Sequence, residues 1–230
     1  MLRLLATLAA LQLADPRVDF EQGREAATQG DLSAASAMLE RAAAQAPSWG
    51  LAWLELADVQ LRAGAAPGTI ERSLEAARSL AAENPRAWLL SGRFFERRGA
   101  RDEAIAAYAR AVELRPSLVE ARERMGLLLL SAGRPGDALP HLRAAFAVRR
   151  EDRALRANLA DAYERVGDLK RAEAELRSLA DEGLGTVYRR RLAAFYERTG
   201  RPKKAAAELR KSDAGPRPAR AMRPLLPSVR

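Results

Sequence analysis

Residues 85–118 read PRAWLLSGRFFERRGARDEAIAAYARAVELRPSL, and the spacing inside this stretch decides the fold. Trp88, Gly92 and Phe95 stand four and three residues apart, and after Gly99 the same steps recur through Ala104, Tyr108 and Ala111. Steps of three and four place side chains on one face of an α-helix. The small residues let two helix axes approach, and Trp88, Phe95 and Tyr108 fill the space beside them. Gly99 ends the first helix and permits a left-handed turn into the second. The stretch is a helix, a tight turn and a second helix, closing near Pro116.

The same pattern runs outward in both directions. Gly30, Gly64, Gly99, Gly133, Gly167 and Gly200 are separated by 34, 35, 34, 34 and 33 residues. Seven residues before each glycine stands a small residue: Gly23, Ala57, Gly92, Gly126, Ala160 and Ala193. Four before it, from the second copy on, stand Gln60, Phe95, Leu129, Tyr163 and Tyr196; the first copy has Ala26. Five after it come Ala35, Ala104, Ala138, Ala172 and Ala205, with Thr69 in the second copy. Nine after it come Leu39, Tyr108, Leu142, Leu176 and Leu209, with Ser73 in the second. A lone hairpin cannot bury its apolar face, whereas stacked hairpins share a continuous core.

This arrangement resembles the tetratricopeptide repeat (TPR), with the full motif in Trp88, Gly92, Phe95, Gly99, Ala104, Tyr108, Ala111 and Pro116. The resemblance covers about residues 16–212 and implies an all-α fold. It would be a right-handed superhelical solenoid of about six helix-turn-helix units, at about 16–49, 50–84, 85–118, 119–152, 153–185 and 186–212. It is weakest in the second half of the second unit, where Ala65-Ala66-Pro67-Gly68 delays the helix. Later units replace the first-helix tryptophans, Trp53 and Trp88, with Arg122, Arg156 and Arg189.

Composition narrows the chemistry. The chain has no cysteine, which removes disulfides, thiolate nucleophiles and cysteine-ligated zinc, and His141 is its one imidazole. No phosphate loop, dinucleotide fingerprint or nucleophile elbow is present. Asp102-Glu103 sits where acids offset a helix dipole without any catalytic role. The reading is a non-enzyme that needs no cofactor and no metal. The net charge of +9 is uneven: residues 186–230 hold 13 basic and 3 acidic side chains, and the remainder is nearly neutral. A basic Pro-rich segment at 213–230 reads as a disordered, solvated tail that could also touch an anionic membrane or an acidic protein. Met1–Ala14, MLRLLATLAALQLA, carries one basic residue and an apolar run, as a signal peptide does. That predicts a periplasmic or secreted protein, with the cytoplasm as the alternative.

In the family that the chain resembles, first helices line a concave groove. The matching positions give Leu51, Leu54, Leu61, Leu89, Leu90, Leu127 and Leu130, with Arg62, Arg93 and Arg97 among them. Further along they give Arg124, Asn158, Arg165, Arg190, Arg191 and Arg198, interrupted by Glu123, Asp161 and Glu164. The expectation is a groove for a protein or peptide with apolar residues at one end and acidic residues at the other. The function expected is a non-catalytic scaffold that helps assemble a larger complex, of the bacterial envelope in one version. The alternatives are a nucleic-acid-binding repeat protein and a regulatory subunit of an enzyme. Nucleic acid is disfavoured, because the aromatics sit at packing positions where they cannot stack on bases.

Overall fold

A computed structural model describes residues 15–182 and 186–213. The apolar segment 1–14 and all but the first residue of the basic segment 213–230 lie outside the described residues. Among those described there are twelve helices and no strand. They are α1 (Pro16–Gln29), α2 (Leu32–Gln45), α3 (Gly50–Ala63), α4 (Pro67–Leu80), α5 (Pro85–Arg97) and α6 (Arg101–Leu114). They continue as α7 (Val119–Ser131), α8 (Pro135–Val148), α9 (Arg153–Arg165), α10 (Leu169–Asp181), α11 (Thr186–Arg198) and α12 (Pro202–Asp213). The fold is an all-α helical-repeat solenoid. The described residues form two compact units, divided between Leu128 and Leu129 within α7.

One turn is used six times. The periodic glycines all have positive φ, between 69° and 88°. In each turn the backbone N–H after the glycine donates to the carbonyl four residues before it. Asp31 donates to Ala26, Ala65 to Gln60, Ala100 to Phe95, Arg134 to Leu129, Asp168 to Tyr163 and Arg201 to Tyr196, at 2.8–3.0 Å. These bonds tie each turn back onto helix-end carbonyls, and those of Ala26, Gln60 and Phe95 also accept from a second backbone N–H. In five hairpins the second helix begins two residues after the glycine. In the second it begins three after, at Pro67. That inserted residue moves the packing face by one position. Ile70, Leu74 and Ala77 are buried, while Thr69 and Ala76 are only half-buried.

A second local rule explains the alternation of tryptophan and arginine. The Trp53 and Trp88 indoles donate to the carbonyls of Pro47 and Ala82, at 2.9 and 2.8 Å. Arg122 and Arg156 donate to Pro116 and Arg150, at 2.6 and 3.0 Å. All four bonds reach back six residues to the loop that enters the helix. The position selects an N–H donor on a long side chain, and either residue supplies one.

The core of the first unit is a series of clusters, each joining neighbouring hairpins. Phe20, Leu39, Ala52 and Leu56 form one, Leu54, Leu74, Leu90 and Phe94 the next, and Leu89, Tyr108 and Ala121 the third. In the second unit Leu142, Leu155, Leu176, Leu192, Phe195 and Tyr196 are fully buried. A buried leucine or phenylalanine contributes about 1.5–3 kcal/mol, more than a helix cap at about 1 kcal/mol. Packing between hairpins therefore dominates stability. Close approach is tightest at Gly92, where a Cβ would lie 2.5 Å from the Tyr108 ring. Leu209 departs from the expected pattern. It is 36% exposed, and α12 buries only Ala205 and Ser212.

Candidate peptide-binding surface

The first helices of the hairpins are α1, α3, α5, α7, α9 and α11, and their leucines do not form the expected apolar surface. Leu54, Leu61, Leu89, Leu90 and Leu130 are all buried. Leu54, Leu61 and Leu90 pack with Ile70, Ala77 and Ala87, and Leu89 packs with Ala104 and Ala111. These side chains seal one repeat against the next, which a stack of two-helix layers requires. Leu127 is half-buried, and Leu51 keeps 40% of its surface exposed.

Most of the expected arginines are also engaged. Two residues before the turn glycine stand Arg62, Arg97, Arg165 and Arg198. Arg62 donates to the Ala27 carbonyl at 2.9 Å, Arg97 to that of Leu61, and Arg165 to that of Leu130 at 3.1 Å. Each acceptor lies near the end of the preceding first helix, where the helix dipole is negative, and the Leu61 and Leu130 carbonyls also accept from the backbone N–H of Gly64 and Gly133, at 3.3 and 3.1 Å. Arg198 instead clasps the Glu164 carboxylate, at 2.7 and 2.9 Å. The arginines form a ladder from repeat to repeat within each unit. Arg191 donates to the Ala157 carbonyl at 3.0 Å, and Arg165 also pairs with Asp161 at 3.1 Å. Asn158 is half-buried. Arg190 remains 65% exposed, 4.0 Å from Asp213.

In the first unit, side chains of α5 and α7 enclose a cleft of about 460 Å³ lined by Arg93, Glu96, Arg97, Glu120 and Arg124. Of the expected groove residues it gathers Arg93, Arg97 and Arg124. Arg93 pairs with Glu120 at 2.6 Å and lies 3.9 Å from Asp58. Arg86 links α5 to α3 through Glu55 and Asp58, the latter at 3.0 Å. Burial works against the Arg86 charge, but the two carboxylates outweigh it and raise its pKa. Glu96 accepts from the Tyr108 hydroxyl at 2.8 Å and from Arg124 at 3.3 Å. Burial, reinforced by Glu96, pushes the Tyr108 phenol far up, so it stays a proton donor. Glu96 is thus anchored from beneath, and Arg124, half-exposed, is held by its long bond to Glu96.

Glu96 and Glu120 were not singled out from the sequence. They occupy the same first-helix positions as the expected residues, and that register was the available signal. No group of three or more His, Asp or Glu among the described residues is arranged to hold a metal. The cleft offers charge-assisted hydrogen bonds to a planar anion such as a carboxylate.

Stacked hairpins of about 34 residues, joined by an arginine ladder and carrying a polar cleft, define a helical-repeat interaction protein. Models of the tetratricopeptide repeat match residues 20–71, 68–118 and 129–190, more than two thirds of the chain. The chain belongs to the tetratricopeptide repeat family, whose arrays are protein-interaction scaffolds. No curated protein matches the sequence. Solved structures show the same fold. YrrB, described as a TPR protein with an unusual peptide-binding site, superposes with a TM-score of 0.70 at 16% identity, over 76% of this chain and 91% of its own. PilF of Pseudomonas aeruginosa gives 0.65 at 18%, over 87% and 97%. MamA of Desulfovibrio magneticus RS-1, from residue 41 on, gives 0.64 at 22%, over 72% and 93%.

Proposed function

We propose that this chain is a non-catalytic adaptor whose cleft between α5 and α7 receives an acidic side chain of a partner peptide. The observation that carries the reading is the state of Arg124. It is half-exposed, with one long bond to a carboxylate that Tyr108 holds independently. An incoming carboxylate can take over Arg124 without leaving Glu96 unpaired. Arg97, fixed on the Leu61 carbonyl, presents a second guanidinium at a set position. The partner is expected to be polar and acidic where it meets the cleft, because five of the seven leucines that would have favoured an apolar segment are buried. YrrB shares this fold and has a peptide-binding site. The role in assembling a larger complex, and a location in the cell envelope, belong to the same proposal. The envelope location rests on the apolar character of Met1–Ala14, and N-terminal sequencing of the mature chain tests it.

Selection from a random-peptide display library, run in parallel on the native chain and on Arg124→Glu, tests the cleft. The native chain should enrich peptides containing Asp or Glu, and the variant should lose them. Enrichment of the same peptides by both proteins would refute the cleft as the site.

A further inference from the structure

The last hairpin carries a second surface that the peptide cleft does not explain. Ala205 and Ser212 are the buried residues of α12. At 100° per residue, the side opposite them consists of Lys203, Ala206, Ala207 and Arg210, all exposed. Lys204 and Lys211 flank it, half-exposed, and turn toward Glu173 at 3.4 Å and Glu208 at 2.6 Å. Lys203 and Arg210 form no ion pair with a described residue. On α11, Arg190 is 65% exposed and lies 4.0 Å from Asp213, the one exposed acid at the end of α12, and Val187 is 68% exposed. The first helix offers a comparison. The exposed residues of α1 include Arg17, Glu21, Arg24 and Glu25, a balanced mixture. A solvent-facing helix needs only such a polar face to stay in water. The α12 face is cationic with small aliphatic gaps, and the sequence after it adds Arg217, Arg220, Arg223 and Arg230 with no acid.

We infer that the outer face of α12, with Arg190, docks on an anionic phospholipid bilayer. Charge complementarity selects an anion. The residues between the cations select lipid over nucleic acid. Ala206, Ala207, Leu209 and Val187 are aliphatic, and of the nearby aromatics that could stack on bases Phe195 and Tyr196 are buried in the core and Tyr188 is half-buried. Alanines between the cations let the helix backbone lie close to a flat charged surface, and juxtaposed lysines and arginines gain from its negative potential. This surface belongs to the second unit and stands independently of the cleft.

The full chain is tested by flotation with vesicles of phosphatidylglycerol and phosphatidylcholine, in a ratio of about 1:2, against phosphatidylcholine alone. The chain should float with the anionic vesicles and be released when salt rises from about 0.05 M to about 0.5 M. Lys203→Glu with Arg210→Glu should weaken binding at least about tenfold without changing the melting temperature. A charge-matched control, Arg72→Glu with Arg115→Glu, should bind nearly as the native chain does. Equal flotation with neutral vesicles, equal loss in the control, or displacement from anionic vesicles by a single-stranded RNA oligonucleotide would overturn the assignment.

Discussion

Gly92 and Tyr108 set the distance between the helices of the third hairpin. The Gly92 side of α5 has no room for a Cβ, which would lie 2.5–2.8 Å from three ring atoms of Tyr108. The ring cannot swing freely, because its hydroxyl is held by Glu96. Gly92→Ala should therefore destabilise the chain by ~1–3 kcal/mol, the usual cost of overpacking. Gly136 in α8 is the opposite case, with no atom within 4 Å of a built Cβ. Gly136→Ala should leave stability unchanged or raise it by up to about 1 kcal/mol, through the better helix propensity of alanine. Thermal melts of the two variants check both signs. The pair was only half legible in the sequence. Both glycines are visible, but only Gly92 falls on the repeating small position, and nothing in the sequence alone states how close the neighbouring ring lies.

Among elements, α10, α11 and the turn into α12 meet at one carboxylate. Glu173 accepts from the Tyr196 hydroxyl at 3.0 Å and from Arg201, and pairs with Arg177 at 2.9 Å and Lys204 at 3.4 Å. Burial pushes the Glu173 carboxyl up, but the bonds from Arg201 and Tyr196 and the charges of Arg177 and Lys204 outweigh it. Its pKa is held below the ordinary value. A group lowered in the folded state stabilises the fold fully above its unfolded pKa and loses that contribution as pH falls through the folded value. The melting temperature should fall as pH drops below about 4.5. In Glu173→Gln that acid-dependent part should shrink, with a lower melting temperature at neutral pH. An unchanged acid profile would show that the cluster contributes nothing. This network was not legible from spacing, since Arg177 and Arg201 look like ordinary surface charges until two helices bring them to one oxygen pair. The arginine ladder is different. Arg62, Arg97, Arg165 and Arg198 recur two residues before the turn glycine, and the sequence displays that period. Its meaning was hidden because three of the four acceptors are backbone carbonyls, which no residue name advertises.

At the scale of the molecule, helix pairs and turns were readable because each depends on residues within one repeat. The glycines, the small positions and the large ones act over 34-residue distances or less. The groove depended instead on how neighbouring repeats share surface. Leu54, Leu61, Leu89 and Leu130 lie on first helices as the pattern says, yet the stack consumes them as seals. What remains for recognition in the first unit is charge, gathered at Arg93, Arg97 and Arg124 with Glu96 and Glu120. On the function proposed above, the chain recognises its partner through the guanidinium of Arg124 and a carboxylate on the peptide. A charge-swap cycle on a display-selected peptide measures that coupling. Arg124→Glu should weaken the peptide at least about tenfold, and replacing the peptide's acidic residue with arginine should restore much of the loss. Native affinity in Arg124→Glu, or no recovery with the swapped peptide, would contradict the account.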